Sequence, residues 1–131
     1  MDIEIIREFI ESINTANIEK LSYLMSDDHE FIDSRGICMN GKDNMKKAWE
    51  SYFNLFPDYK IKITDTIHAD SYILLLGYAS GTFKPDNAEA DIKNHWKVPA
   101  TWKAIVKDDK IQQWQVYADN SPVMEIINKN K

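Results

Sequence analysis

Hydrophobic positions follow a helical rhythm in the first half of the chain and a strand rhythm in the second. Residues 2–14 carry Ile3, Ile6, Phe9, Ile10 and Ile13 at spacings of three and four, which is one apolar stripe on a helix. Asp2 stands where a cap is wanted. Asn14-Thr15-Ala16-Asn17 interrupts the stripe, and Asn17 is placed to cap a second short helix with Ile18, Leu21, Leu24 and Met25. The stretch from Ser26 to Gly36 then reads as one short strand and a turn at Gly36. Side chains alternate on a strand, so His29, Phe31 and Asp33 share one face, and Glu30 and Ile32 take the other. Residues 34–41 hold two glycines and an asparagine and read as a loop. The clearest periodicity spans residues 43–56. Met45, Ala48, Trp49, Tyr52, Phe53 and Phe56 form an aromatic-rich stripe there, and Pro57 stops the helix.

Beyond Pro57 the period falls to two. Tyr59, Ile61, Ile63, Asp65 and Ile67 alternate with Lys60, Lys62, Thr64 and Thr66, so one face is expected to be buried and the other wet. His68-Ala69-Asp70-Ser71 reads as a turn. Residues 72–83 form a long strand in which Gly77 and Gly81 suggest a bulge or a bend. Residues 84–97 form a polar loop containing Pro85, Asp86 and Asn87, a candidate rim or flap. A strand over 98–106, a tight turn at 107–110 and a last strand over 111–119 follow. The segment from Ser121 to Ile127 can make one short helix or a tail. Helices first and strands afterwards predict an α+β domain with a mostly antiparallel sheet. If that sheet curls around its helices, it makes a cone with a hole at the wide end.

Composition narrows the possibilities. A chain of 131 residues that is 44% hydrophobic suits a single domain over 1–131 with a real core. A net charge of -5 argues against nucleic acid as a partner, because phosphate contacts need a basic face. The single cysteine, Cys38, cannot form an internal disulfide. Met1-Asp2-Ile3-Glu4 carries acids where a signal peptide carries positive charge, so a cytoplasmic protein is expected. No apolar run is long enough to span a bilayer. Zinc spacings, a phosphate loop and a nucleophile elbow are all missing. Three separated histidines, His29, His68 and His95, give no metal signature, and no cofactor is implied.

Asp33 is the leading chemical residue. An acid at a strand end, facing an apolar cavity, is suited to general-base work. The alternative is a polar strand end that bonds the backbone of its turn. His29 lies about 13 Å away along the strand, too far to pair with Asp33, and reads as a solvated or core histidine. Trp49 and Tyr52 are core or pocket aromatics. His95 and Trp96 belong to the long loop or its edge, either over a pocket mouth or simply on the surface.

Several local motifs, in this order, resemble the SnoaL-like branch of the nuclear transport factor 2-like superfamily. They are Asn17-Ile18-Glu19-Lys20-Leu21 before Ser26-Asp27-Asp28, Phe31-Ile32-Asp33 leading to Gly36, and Gly41-Lys42-Asp43 opening the long helix. Phe56-Pro57-Asp58-Tyr59, Gly77, Ser80-Gly81-Thr82, Val98-Pro99-Ala100-Thr101, Asp109-Lys110-Ile111, Trp114, Tyr117 and Asp119 complete the set. The resemblance implies a conical sheet wrapped on helices around a pocket for a small, mostly apolar molecule. It also implies a homodimer paired through the outer face of the sheet.

The superfamily includes ketosteroid isomerase, polyketide cyclases, limonene epoxide hydrolase, dehydratases and non-catalytic proteins. The resemblance puts Asp33 at the isomerase's base aspartate. Phe9 falls where the isomerase has an oxyanion-hole tyrosine, and Phe9 has no hydroxyl. Trp102 falls at the second donor, a protonated acid; an indole N–H donates but does not replace that acid. Val116 falls where the cyclases and the epoxide hydrolase carry an inward acid. Trp114, Val116 and Ala118 would then face the cavity. A one-residue slip would bring Tyr117 and Asp119 inward instead. The implied pocket wall is Phe9, His29, Phe31, Trp49, Tyr52, Trp102, Trp114 and Val116. The implied chemistry is proton transfer beside a carbonyl, or a related isomerisation, cyclisation or dehydration. A binding module of the same fold without chemistry is the alternative.

Overall fold

The protein is described by a computed structural model covering residues 2–86 and 88–131. Met1, and Asn87 of the expected loop, lie outside the described residues.

The first stripe folds as α1 (Asp2–Asn14) and buries Ile6, Phe9 and Ile13 completely. The Asn17 side chain accepts from the Lys20 N–H at 3.1 Å and caps α2 (Ile18–Leu24). Met25 does not extend that helix. It opens β1 (Met25–Ile32). The aromatic stripe folds as α3 (Lys42–Leu55), with Met45 and Trp49 buried, and Phe56 is buried just beyond its end. Residues 34–41, expected as loop, contain β2 (Cys38–Asn40). This strand is exposed on both faces, so it lacks the alternation that marks a half-buried strand. The strands after α3 are β3 (Lys60–His68), β4 (Ile73–Thr82), β5 (His95–Lys107) and β6 (Lys110–Ala118); α4 (Ser121–Lys129) closes the chain.

The six strands form one mixed, curved sheet in the order β2-β1-β6-β5-β4-β3. β1 runs parallel to β6, and the other pairs are antiparallel. Asp108 and Asp109 both take positive φ, 53° and 60°, as a two-residue hairpin between β5 and β6 requires.

The single buried face expected from Tyr59 to Ile67 ends at Ile63. The pairing of β3 with β4 shifts between Ile63 and Asp65, and Ile67 is 50% exposed. That shift lies opposite Gly77, where a Cβ would stand 1.8 Å from the Lys62 carbonyl oxygen. The long loop is also shorter than expected, because Ile92–Asn94 form a 3-10 turn and β5 begins at His95. Trp96 is therefore a strand residue, not a loop residue, and it is buried. Among the described residues no helix is long and apolar enough to cross a membrane.

Candidate functional site: an aromatic cavity between α3 and the sheet

The sheet curves around α3 without its inner face being filled. The two-residue period of the pleat puts Trp96, Val98, Ala100 and Trp102 of β5 on that face, and Trp114, Val116 and Ala118 of β6 beside them. From the other side α3 presents Met45, Ala48, Trp49 and Tyr52. Phe31, Tyr59 and Ala79 complete the wall. Between them is a cavity of about 200 Å³. Four alanines, Ala48, Ala79, Ala100 and Ala118, leave that space open where larger side chains would close it.

Among the described residues, seven of the lining side chains are aromatic. Trp49, Tyr52, Tyr59 and Trp96 touch in sequence, with ring centroids 5.9 Å apart for Trp49 and Tyr52, 4.9 Å for Tyr52 and Tyr59, and 6.0 Å for Tyr59 and Trp96. Trp102 stacks on Trp114 at 6.4 Å. Burial pushes the Tyr52 hydroxyl well above its ordinary pKa, and burial together with Tyr52 does the same to Tyr59. Both therefore stay protonated at neutral pH. The indole nitrogens of Trp49 and Trp96 are buried with no hydrogen-bond partner among the described residues.

The polar edge of the cavity is Asp33, Ser34 and Asn120. Asp33 follows the last residue of β1. Its Oδ1 accepts from the backbone N–H groups of Arg35 at 2.9 Å and Ile37 at 3.0 Å. This is an Asx turn, with Gly36 at φ 82°, and it joins β1 to β2. The carboxylate thus holds its turn and lines the cavity at once. Asn120 Nδ2 donates to Ser34 Oγ at 2.8 Å and ties the end of β6 to the same turn.

The structure brings Asp33, Phe31, Trp49, Tyr52, Trp102, Trp114 and Val116 to the cavity. It does not bring Phe9 or His29 there. Phe9 is fully buried under α1, 4.9 Å from Trp114 and 6.2 Å from His29. His29 is fully buried, and its Nδ1–H donates to the Ile111 carbonyl at 2.7 Å. Both belong to packing beneath α1. β6 keeps Trp114, Val116 and Ala118 inward, while Tyr117 is 52% exposed and Asp119 accepts from Ser121 beyond the strand.

His95 does not cover the cavity either. Its Nδ1–H donates to Thr82 Oγ1 at 2.9 Å, and that hydroxyl donates to Asp58 Oδ2 at 2.7 Å. Among the described residues no three His, Cys, Asp or Glu side chains converge as a metal site requires. Sequence reasoning missed Tyr59, Val98, Ala100 and Asn120, and offered Trp96 only as a loop residue over the mouth or on the surface, where it is a wall residue of β5. For the β5 residues the signal was there: alternation already starts at His95-Trp96-Lys97-Val98.

A curved sheet packed on helices is the fold of the nuclear transport factor 2-like proteins. The model of the SnoaL-like domain matches residues 6–114, and the chain belongs to that family. No curated protein sequence matches the chain. Among solved structures, a SnoaL-like protein provisionally assigned as a polyketide cyclase from Shewanella denitrificans OS-217 superposes with a TM-score of 0.82 at 9% identity. That match covers 98% of this chain and 97% of the other. A hypothetical protein with a ketosteroid isomerase-like fold from Catenulispora acidiphila DSM 44928, in complex with trimethylamine, gives 0.79 at 17% identity over 95% and 92%. An LEH-like epoxide hydrolase from M. tuberculosis gives 0.78 at 12% over 98% and 90%. At these identities the likeness is one of fold.

Proposed function

We propose that the cavity binds a compact, mostly apolar small molecule. The observation that carries this is the wall itself. Among the described residues, seven aromatic side chains, four alanines and a single carboxylate stand around about 200 Å³ of open space. Ordinary ligand sites are mostly apolar, with a few convergent polar groups, and run to roughly 300–1,000 Å³. This one suits a molecule of about one ring. Filling the space tests the reading. Ala100→Leu and Val116→Phe should abolish binding of monocyclic probes while the fold persists in circular dichroism. Unchanged binding in both variants would place the probes elsewhere.

A second reading rests on the free edge of Asp33. Its Oδ1 serves the turn, but its Oδ2 has no partner in the hydrogen bonds of the described residues. That oxygen can take a proton from a bound molecule beside a carbonyl, as in an isomerisation, cyclisation or dehydration, with no cofactor. The presence of cyclase-like and epoxide hydrolase structures among the neighbours supports the class. Solvent deuterium entering a bound ketone in the native protein, and not in Asp33→Asn, is the expected result.

The protein is further proposed to pair with a second copy through the outer face of the sheet. Ile67, Tyr78 and Tyr117 are exposed there at 50%, 39% and 52%. Tyr117→Glu should shift light-scattering mass towards the monomer. The lone exposed thiol of Cys38 suits a reducing cytoplasm.

A further inference from the structure

The cavity is walled by aromatic rings and edged by one negative charge. Among the described residues its only charged lining side chain is Asp33, and no lysine or arginine lines it. Trp49, Tyr52, Tyr59 and Trp96 meet at steep angles, 84° between Trp49 and Tyr52 and 88° between Tyr52 and Tyr59, as adjoining walls of a box do. Tyr59 and Trp96 close the row at 42°. Phe53 stacks on one face of Trp49, with centroids 5.4 Å apart and planes at 28°, and Gly81 backs the indole of Trp96. Rings backed on one side leave the other side for the hollow that both residues line. An aromatic face is the negative side of the ring's quadrupole. The lysines seen over ring faces among the described residues lie elsewhere. Lys97 covers Tyr78, Lys103 covers Tyr72 and Lys110 covers Tyr23, and none of these tyrosines lines the cavity.

We propose that the Trp49–Tyr52–Tyr59–Trp96 box holds the quaternary ammonium group of a compact organic cation. The inference rests on the reading that the cavity holds a small molecule, and adds that molecule's charge. Ring faces attract a cation within about 6 Å of their centroids. Asp33 adds a negative charge to the same enclosed space, where screening by water is weak. An anion finds no cationic partner there, and an unpaired buried anion is costly. A primary ammonium brings three N–H donors to a mostly apolar wall and leaves some of them without acceptors. A quaternary ammonium has no N–H to satisfy. Its methyl groups suit the apolar wall while its charge meets the ring faces.

Three probes of nearly one shape and different charge separate these cases on the full chain: phenyltrimethylammonium, tert-butylbenzene and benzenesulfonate. Calorimetry and tryptophan emission give the affinities. Phenyltrimethylammonium should bind roughly tenfold tighter than tert-butylbenzene, the gain expected of a desolvated cation among ring faces. Benzenesulfonate should bind most weakly. The N-methyl proton resonance of phenyltrimethylammonium should move upfield on binding, because ring currents shield protons above an aromatic face. Asp33→Asn and Tyr52→Leu should each reduce the preference for the cation, and Trp96→Leu replaces Tyr52→Leu if that variant does not fold. Val116→Phe fills the hollow and should abolish cation binding, with Ala100→Leu as the second variant of that kind.

Equal or tighter binding of tert-butylbenzene overturns the ammonium box and leaves the apolar hollow standing, as does tightest binding of benzenesulfonate. A cation preference unchanged in both Asp33→Asn and Tyr52→Leu overturns the box. So does cation binding that survives Val116→Phe and Ala100→Leu, since it then lies on the surface of a chain with net charge -5. Binding of none of the three overturns the hollow and the box together.

Discussion

The indole of Trp96 lies across Gly81, its direct partner on β4: a Cβ at Gly81 would stand 3.1 Å from Trp96 Cζ2 and 3.3 Å from Cε2. Backbone freedom is not what the glycine provides, since its φ is ordinary. It provides room for a cavity-wall tryptophan to lie flat on the neighbouring strand. Gly81→Ala should therefore cost about 1–3 kcal/mol by overpacking and displace the indole. Urea titration gives the cost, and a changed tryptophan emission maximum gives the displacement. Native stability with native emission would mean that Trp96 has space in reserve.

Asn14 secures the opposite border of the sheet. Its Nδ2 donates to the Ile61 carbonyl at 3.0 Å, and its Oδ1 accepts from the Ile61 N–H at 2.8 Å. The last residue of α1 thus pairs with the edge strand β3 as another strand would. Asn14→Ala should cost about 1–3 kcal/mol, because both Ile61 groups lose their partner. Asn14→Asp keeps the acceptor and should cost less. Equal losses in the two variants would contradict the two-sided bond.

His29 makes stability depend on pH. Burial lowers its pKa, more than the Ile111 carbonyl and the neighbouring Asp28 and Glu30 raise it. The folded protein therefore holds the ring neutral where the unfolded chain, near pKa 6.5, takes a proton. The unfolded state binds more protons, so stability is present above about pH 6.5 and is lost as pH falls towards the folded pKa. His29→Phe should lower stability at every pH by removing the closer donor to the Ile111 carbonyl, leaving it only the Ser26 hydroxyl at 3.4 Å, and should flatten the loss between about pH 7.5 and 5.5. Parallel urea midpoints for both proteins across that range would show that His29 does not set the slope.

Asp33→Asn separates the two duties of that side chain. An asparagine oxygen can still accept from the Arg35 and Ile37 N–H groups, so the turn should survive with a change within about 1 kcal/mol. Proton abstraction from a bound ketone should disappear. Thermal unfolding measures the first and deuterium exchange the second. Collapse of the fold in the Asp33→Asn variant would show that the charge, not the acceptor geometry, holds the turn.

The long periodic segments were legible from residue patterns. α1, α3, β4 and the hairpin of β5 and β6 follow directly from spacings of three and four, or of two. β2 was not, because a strand exposed on both faces carries no hydrophobic alternation. The polar sequence around Pro85 hid the start of β5, and with it Trp96 and Val98. Phe9 was misplaced for a different reason. A helical stripe shows that a residue is buried, but not whether it faces a hollow or a packed layer; Ile6, Phe9 and Ile13 all face the packed layer. Asp33 was located, yet the Asx turn that occupies its Oδ1 depends on the backbone conformation of residues 35–37, which spacing does not report.

Xenon is the most direct probe of the central claim, because it enters dry apolar space of this size whatever the natural ligand is. A crystal pressurised with xenon should show an anomalous peak inside the wall formed by Trp49, Ala79, Ala100 and Val116. Side chains closing that space, or a chain of ordered waters in place of the peak, would contradict an open apolar hollow.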